Sequence, residues 1–194
     1  MGVIDVILLA AGRSSRLGRP KSLVDVDGQP LIQRIISRLH QLGQAEVTVV
    51  TNTDLLADIM LFCPSAHVVL NPDPEKGRTG SVQCGLASIL ERNGRLPKKV
   101  LLVPVDRPGW SVKLVSNLLE SETSACPVWN DRGGHPLLMV GDDVNAVYLA
   151  ERDQPLSSLV QRKPMPVDFS WLHLNIDTEA DLADLLAASK EDWF

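Results

Sequence analysis

Short apolar runs that alternate with amphipathic helical patterns constrain this chain more than any other feature. Several runs are apolar at every position, which is typical of strands covered on both faces. Between them, apolar residues recur at helical spacing along 31–42 and 82–90. This alternation indicates a mostly parallel sheet with helices on both sides. The sequence predicts strands at 3–10, 45–51, 66–70, 99–105 and 124–129.

Further helices are predicted at 79–93 and 111–121, and a last helix near Thr178. Thr178 and Asp181 have the spacing of an N-cap and an N3 residue. After about residue 130 the pattern is irregular, and RGGHPLLM and RKPMPVDF are candidate edge strands. We find no repeat or long linker, so residues 1–194 are expected to form a single domain.

Composition narrows the functional classes. The formal net charge is -5 and the pI is about 5.3, which argues against a nucleic-acid binder. No apolar run approaches the roughly 18 residues of a membrane span, and the N-terminus lacks a basic signal-peptide region. The widely spaced Cys63, Cys84 and Cys126 indicate neither a zinc site nor a disulfide framework. We therefore expect a cytoplasmic protein with no nucleic-acid or membrane partner.

One loop of this acidic chain, directly after the first predicted strand, is basic. The stretch VILLAAGRSSRLGRPKSL has no acidic residue and carries Arg13, Arg16, Arg19 and Lys21. A glycine-containing turn at a strand end can direct several N–H groups at an anion. The loop matches neither GxxxxGK[ST] nor GxGxxG. Charge alone leaves two interpretations open, a phosphate-binding loop and a solvated basic turn.

Three separate pieces of the chain are expected to meet at one sheet edge. Ligands of open parallel sheets bind at the carboxyl ends of the strands. That rule places the loop 10–22, the segment 104–109 and Asp177 together. An aspartate such as Asp106, at the end of an apolar strand, is costly unless it is paired or coordinated. The sequence therefore favours a metal at Asp106.

The spacing within LAAGRSSRLGRPK resembles the signature loop LAAGxSxRxGxPK of nucleotidyltransferases, closest to the molybdenum cofactor cytidylyltransferase and guanylyltransferase branch. The resemblance implies an α/β, three-layer, Rossmann-like nucleotide-diphospho-sugar transferase fold. It also implies that the backbone of Ala10, Ala11 and Gly12 holds the nucleotide. Arg16 and Lys21 would contact the triphosphate, and the other two arginines occupy variable positions of the pattern.

Two further stretches extend the resemblance on the nucleotide side and at the acceptor. NPDPEKGRTGSVQCGL (71–86) resembles NPxxxxGxxxSvxxGl, which implies Asn71, Gly80 and Ser81 at the base and ribose. Ser81 also fits a plain helix N-cap. GGHPLLM (133–139) resembles a family strand beside the acceptor, which implies His135 and Pro136 on the acceptor side.

The expected metal ligands lie in two other matching stretches. LLVPVDRPG (101–109) resembles the segment whose aspartate, here Asp106, binds the metal. LNIDTEADL (174–182) resembles DIDTPEDL, which implies Asp177 as the second ligand. Two positions depart from that pattern, because Asn175 replaces an aspartate and Glu179 replaces a proline. Oxygen ligands of this kind suit Mg²⁺, which typically takes one or two carboxylates plus phosphate.

Together these stretches imply a Mg²⁺-dependent nucleotidyltransferase with Lys21, Arg16 and Asp106 as catalytic residues. The reaction would transfer a nucleoside monophosphate to the terminal phosphate of molybdopterin cofactor and release pyrophosphate. A phosphate nucleophile needs no general base, because its second pKa is about 6. In that branch, Leu-Ala-Ala-Gly accompanies CTP and Leu-Ala-Gly-Gly accompanies GTP, so the resemblance favours CTP over GTP. A physical basis is that Ala11 carries a methyl group where glycine would leave more room near the base. A molybdoenzyme that receives the product is a possible client.

Alternatives remain open at the level of the sequence. The same fold could serve another acceptor, such as a sugar 1-phosphate or methylerythritol phosphate. A chain of another class would bind a nucleotide or cofactor and hand it on without catalysis. The resemblance is thinnest between residues 140 and 170, where ERDQPLSSLVQRK departs from the family pattern near the acceptor. Trp110 is expected either to pack in the core or to stack on the acceptor.

Overall fold

The computed structural model describes residues 2–12 and 16–194. Its strands are β1 (Ile4–Leu9), β2 (Asp25–Val26), β3 (Gln29–Pro30), β4 (Ala45–Thr51), β5 (His67–Leu70), β6 (Lys99–Pro104), β7 (Ala125–Trp129), β8 (Arg132–Gly133), β9 (Leu137–Val140) and β10 (Lys163–Pro166). Its α-helices are α1 (Leu31–His40), α2 (Leu56–Phe62), α3 (Arg78–Asn93), α4 (Val112–Leu119), α5 (Asp142–Leu149), α6 (Leu156–Leu159) and α7 (Asp181–Ala188).

The main sheet has the order β10-β7-β9-β6-β1-β4-β5, and β8 pairs with β7. Strand β1 lies between β4 and β6 and is parallel to both. The five strands expected from the apolar runs are confirmed. The expectation that RGGHPLLM forms an edge strand is wrong, because β9 pairs antiparallel with both β6 and β7 inside the sheet. RKPMPVDF does supply an edge strand, β10.

Helices cover both faces of the sheet, and β1 shows why. Its side chains alternate, so Val6 and Leu8 join one buried cluster while Ile7 and Leu9 join the other. The first cluster includes the apolar face of α1, and the second includes that of α3. The four successive apolar residues 6–9 of β1 are thereby buried on both sides of the sheet. The expected α/β, mostly parallel, three-layer fold is confirmed.

The last helix begins later than the sequence suggested. Helix α7 starts at Asp181, and no side chain caps it. Instead the Asp181 carboxylate accepts hydrogen bonds from the backbone N–H groups of Asp177 (2.8 Å) and Thr178 (2.6 Å). Asp181 and Thr178 thus form one half of a capping box, in which an acidic side chain accepts a hydrogen bond from the backbone before the helix and stabilises that turn. This arrangement fixes the backbone at Asp177.

The periodicity of the sequence did not reveal α2 and α5, which are short and flank strands. Within residues 2–12 and 16–194, none of the helices combines the length and apolar character needed to cross a membrane. The single-domain expectation stays a prediction.

Candidate active site

A cleft of about 300 Å³ opens at the carboxyl ends of β1 and β6. Pockets of this size suit small-molecule ligands, and this edge of an open α/β sheet is where such ligands bind. Backbone and side chains from three separate stretches of the chain form its wall: Leu9, Ala10, Ala11, Gly12, Lys21, Ser22, Pro74, Gly77, Arg78, Ser81, Pro104, Val105 and Asp106.

The end of β1 is fixed by hydrogen bonds from the neighbouring strands. Ala10 donates its N–H to the Val50 carbonyl (2.8 Å), and the Asn52 amide donates to the Ala11 carbonyl (3.1 Å). Ala10, Ala11 and Gly12 line the cleft, as a nucleotide-holding backbone requires. Arg13, the first cation of the basic loop, lies outside the described residues.

Lys21 joins the two carboxylates that the sequence singled out. Its Nζ lies 2.5 Å from Oδ1 of Asp177 and 3.4 Å from Oδ2 of Asp106. The lysine side chain is 14% exposed, so this cation is held largely out of water. Two carboxylates from distant parts of the chain therefore approach one positive charge at the edge of the cleft.

Asp177 is held in its ionised form. The hydrogen bond from Lys21, followed by one from the Asn175 amide (2.6 Å), lowers the pKa of the Asp177 carboxyl. Asn175 stands where the family pattern has an aspartate, and its amide donates to the Asp177 carboxylate. The departure thus supplies a hydrogen-bond donor in place of a second negative charge. Ile176 donates its N–H to the Asp106 carbonyl (3.0 Å), which ties the two acidic segments together.

The remaining cations of the basic loop turn toward the Asp177 segment. Nη1 of Arg16 lies 3.9 Å from Asp177 Oδ2, and the Arg16 side chain is 77% exposed. Arg19 donates from Nη2 to both carboxylate oxygens of Glu179, each at 2.9 Å. Glu179 is the second departure from the family pattern, and its partner is a loop cation. Arg16 is therefore the loop arginine of the described residues that approaches an expected metal ligand.

The stretch 71–86 contributes to the cleft, but the residues that line the cleft are not all the ones named from the sequence. Ser81 lines the cleft, whereas Asn71 is buried behind it and donates its amide to Ser81 Oγ (2.9 Å). Gly80 does not line the cleft. Its N–H donates to the Arg152 carbonyl (3.1 Å). Gly77 does line it, with a positive φ of 104° that favours glycine.

Two cleft residues carry polar groups that the sequence analysis did not single out. The Ser22 hydroxyl is buried, lines the cleft and has no hydrogen-bond partner in the described part of the chain. Arg78 lines the cleft from the first turn of α3. Arg78 was missed because its position in the family pattern is variable. Ser22 was missed because the signature pattern ends at Lys21, the residue before it.

The segment that departs most from the family packs against the start of α3. The Arg152 carbonyl accepts from Gly80, and the Gln154 carbonyl accepts from Thr79 Oγ1 (2.5 Å). A Cβ added at Gly77 would lie 3.4 Å from the Arg152 carbonyl oxygen. ERDQPLSSLVQRK therefore supports the wall of the cleft beside Gly77, and it is more than a surface helix.

His135 lies in an electropositive part of the same face. Its ring is mostly buried and Nδ1 has no hydrogen-bond partner among the described residues. Burial first, and then the charges of Arg78, Arg107 and Arg162, lower the pKa of His135 to about 4. The imidazole is therefore neutral at pH 7. Pro136 beside it is buried.

The other histidine and tryptophan near this edge are structural. His173 donates from Nε2 to the Trp129 carbonyl (3.1 Å) and packs against the Trp129 ring. Trp110 is fully buried, which confirms packing over stacking on an acceptor. In residues 2–12 and 16–194, no group of three or more His, Cys, Asp or Glu side chains is arranged to hold a metal. Asp106 and Asp177 are the acidic pair that the cleft offers.

Comparison with known proteins agrees with this architecture. Residues 6–167 match the MobA-like NTP transferase domain. This match, over most of a chain with a mostly parallel sheet, shows an NTP transferase as the class of protein. The chain belongs to the family of MobA-like NTP transferase domains.

Curated relatives share this family over different lengths. A molybdenum cofactor guanylyltransferase from Xanthomonas euvesicatoria is 31% identical over 126 residues, which cover 65% of this chain and 59% of that protein. The matched region thus spans about three fifths of that relative. A protein of the same name from Sinorhizobium fredii is 27% identical over 212 residues, covering 99% of this chain and 92% of its own.

Solved structures match over nearly the whole chain. Rv0371c from Mycobacterium tuberculosis H37Rv superposes with a TM-score of 0.81 at 21% identity, covering 96% of this chain and 100% of its own. A nucleotidyl transferase from Methanothermobacter gives a TM-score of 0.76 at 19% identity, covering 97% of this chain and 98% of its own. These likenesses show the shared fold.

Proposed function

We propose that this protein transfers a nucleoside monophosphate from an NTP to the terminal phosphate of molybdopterin cofactor and releases pyrophosphate. The observation that carries the proposal is the convergence of Lys21, Asp106 and Asp177 beside the Ala10–Gly12 backbone. Phosphoryl transfer relies mainly on positioning and on charge neutralisation, and these groups supply both. Two curated relatives, which align with 65% and 99% of this chain, are named molybdenum cofactor guanylyltransferase.

A divalent cation fits the acidic pair. Asp106 and Asp177 already approach one positive charge, the Lys21 ammonium, and both present hard oxygen ligands. Mg²⁺ is typically held by one or two carboxylates together with phosphate oxygens, so no third acidic ligand is required. A further crystal structure of the Mycobacterium tuberculosis protein, with a TM-score of 0.77, is a complex with manganese. When bound, the cation would neutralise charge on the triphosphate.

The chain's own residues account for the remaining tasks. Ala10, Ala11 and Gly12, which follow β1, line the cleft together with Ser22 and Ser81, and we propose that their backbone and hydroxyl groups orient the nucleotide. Lys21 and Arg16 offset negative charge on the pyrophosphate leaving group. Each charge-assisted hydrogen bond of this kind contributes about 1.5–3 kcal/mol. The attacking phosphate needs no base, and His135, with its pKa lowered to about 4, would be only a weak one.

The acceptor phosphate is proposed to approach beside His135 and Pro136. Arg78, Arg107 and Arg162 act electrostatically on His135, and none of them forms an ion pair with a described carboxylate. Arg78 lines the nucleotide cleft and Arg107 follows Asp106 directly. Unpaired guanidinium groups next to a cleft for phosphate chemistry suit an anionic acceptor.

Arg162→Gln tests the acceptor subsite without touching the nucleotide cleft. We expect KM for molybdopterin cofactor to rise by about tenfold while KM for the nucleotide stays unchanged. Arg95→Gln, which removes an arginine from the connection after α3, is the matched control. Equal changes in both KM values would contradict the assignment.

CTP is the proposed nucleotide, because Ala11 is buried at the cleft wall and its methyl group occupies space near the nucleotide. GTP is the second candidate, because the curated relatives are named guanylyltransferases. Ala11→Gly should raise the GTP:CTP ratio of kcat/KM if the methyl group selects the base. An unchanged ratio would remove the basis for preferring CTP.

The decisive measurement is pyrophosphate release with Mg²⁺ and CTP, GTP, ATP or UTP, with and without molybdopterin cofactor. Release that requires the cofactor supports the proposal, and release with methylerythritol phosphate or a sugar 1-phosphate instead would redirect it to another acceptor. Asp106→Asn should lower kcat by at least about a hundredfold. Glu122→Gln, which removes a surface carboxylate paired with Lys99, should leave kcat unchanged. Nucleotide binding without release from any acceptor would indicate a non-catalytic binding protein.

A further inference from the structure

Arg38 is a buried cation that the proposed chemistry does not use. It lies on α1 and is 3% exposed, and its guanidinium forms no ion pair with a carboxylate among the described residues. Its Nε and Nη2 atoms have no hydrogen-bond partner there. Burying an unpaired charge is costly, so a side chain of this kind calls for a compensating environment.

Aromatic rings supply that environment. The Arg38 guanidinium carbon lies 3.8 Å from the centroid of the Trp110 ring, 4.7 Å from that of Phe194 and 5.4 Å from that of Trp193. Such contacts are strongest when the cation is desolvated. We call Trp110, Trp193 and Phe194 the aromatic cage. Burial, and secondarily Arg34, lowers the pKa of Arg38 to about 9, so it remains charged at pH 7.

The caged guanidinium makes one directed contact, and that contact is to the segment that carries Asp106. Nη1 of Arg38 donates to the Pro108 carbonyl (3.1 Å), which also accepts from the Trp110 N–H (2.9 Å). An apolar residue could fill the cage but could not reach this carbonyl as a donor. The charged side chain therefore helps to fix the Pro108 carbonyl, which lies two residues after Asp106, a proposed metal ligand.

The same segment is attached to the Asp177 side of the site. Ile176 donates to the Asp106 carbonyl, and Gly109 lies so close to the Trp171 carbonyl that an added Cβ would be 2.0 Å from its oxygen. Trp171 in turn packs against Trp193 of the cage, with ring centroids 6.2 Å apart. The cage thus contacts both segments whose carboxylates meet at Lys21.

We propose that Arg38, held by its aromatic cage, is a positioning residue that sets the placement of the Asp106 segment relative to Asp177. Arg38 is buried and does not line the cleft. The effect of Arg38 on metal binding rests on the proposed function, whereas the effect of Arg38 on the backbone does not.

Hydrogen exchange of the purified full chain separates this role from general stabilisation. In Arg38→Met, we expect the amides of Trp110 and Ile176 to exchange roughly tenfold faster, because a charged donor to this segment is lost. Amides of β1 should keep their rates. Arg34→Met is the matched control, since it removes a cation one turn earlier that pairs with Asp27 (3.3 Å), lies farther from the cage at 5.8 Å from the Phe194 ring centroid and does not contact Pro108.

The second readout is Mn²⁺ binding in the presence of CTP and without acceptor, followed by the loss of the free Mn²⁺ signal in electron paramagnetic resonance. Arg38→Met should bind Mn²⁺ about three- to tenfold more weakly than Arg34→Met. Faster local exchange in a protein that binds no Mn²⁺ even as wild type would support the positioning role and overturn the metal part of the proposed function.

Unchanged exchange at Trp110 and Ile176 in a folded Arg38→Met protein would overturn the proposal. Should Arg38→Met unfold, so that β1 amides also exchange freely, Phe194→Ala provides the test because it keeps Arg38 but removes one ring of the cage that holds its guanidinium on the Pro108 carbonyl. Acceleration confined to Trp110 and Ile176 in Phe194→Ala supports the proposal. Uniform acceleration across β1 and this segment overturns it.

Discussion

Acid should destabilise this protein through His135. The pKa of His135 is lowered to about 4 in the folded chain, from an ordinary value of 6.5. The unfolded chain therefore binds a proton at a higher pH than the folded chain does. The stabilisation due to the neutral ring is complete above the unfolded value and is lost as the pH falls toward the folded value.

The size of the effect follows from the difference between the two pKa values. Between about pH 7.5 and about pH 4, His135 alone should lower the free energy of unfolding by about 3 kcal/mol. Asp5 acts in the opposite direction over part of this range, because burial raises the pKa of its carboxyl. Comparison with His135→Gln removes that contribution, because Asp5 is present in both proteins.

The assay is urea unfolding of wild type and His135→Gln at a series of pH values. The difference in unfolding free energy between the two proteins should change by about 3 kcal/mol over the range, and the variant should be the less pH-sensitive protein. Imidazole proton resonances give the pKa of His135 directly. Arg78→Gln should raise that pKa, since Arg78 is the largest charged contributor. Parallel pH profiles, or a His135 that titrates near 6.5, would refute the reasoning.

Three further substitutions test the packing and the charges around the cleft. Gly109→Ala forces a Cβ to 2.0 Å from the Trp171 carbonyl oxygen, so it should destabilise the fold by about 3 kcal/mol or more in thermal or urea unfolding. Gln83→Leu removes an amide that donates to carbonyls at the end of α5, and should cost about 1–2 kcal/mol in the same assay. Lys21→Gln should raise the pKa of Asp177, seen in its carboxyl carbon resonance, because the lysine hydrogen bond is the main cause of the depression.

Much of the fold was predictable because β1, β4 and β6 are buried on both faces along most of their length, and their sequences are therefore mostly apolar. Parallel pairing of such strands follows from the helices between them. The antiparallel insertion of β9 was not predictable in the same way. A four-residue apolar strand looks alike at an edge and inside a sheet, and only its pairing with β6 and β7 decides the difference. Pairing partners are not encoded in local periodicity.

The site residues also separate into those that the sequence predicts and those that only the folded chain reveals. Asp106 was predictable because it is a charged residue directly after the apolar strand β6, whereas Lys21 and Asp177 were named from the family resemblance. Their meeting at one edge was expected from the rule that ligands bind at the carboxyl ends of parallel strands. Arg38 gave no such signal, because an arginine on an amphipathic helix is usually solvated. Its burial arises from rings at 110, 193 and 194, which approach it only in the folded chain.

The stretch 77–81 shows why a sequence motif names a region more reliably than it names the contacting residues. Successive residues of a helix start face different directions, so neighbours in the motif reach different surroundings. Gly77, Arg78 and Ser81 face the cleft, whereas the Thr79 hydroxyl and the Gly80 N–H are bound by the carbonyls of residues 152–154. That second surface comes from the segment in which this chain departs from its family. A substitution in ERDQPLSSLVQRK would therefore shift the wall of the cleft through Thr79 and Gly80 without altering any residue that lines the cleft.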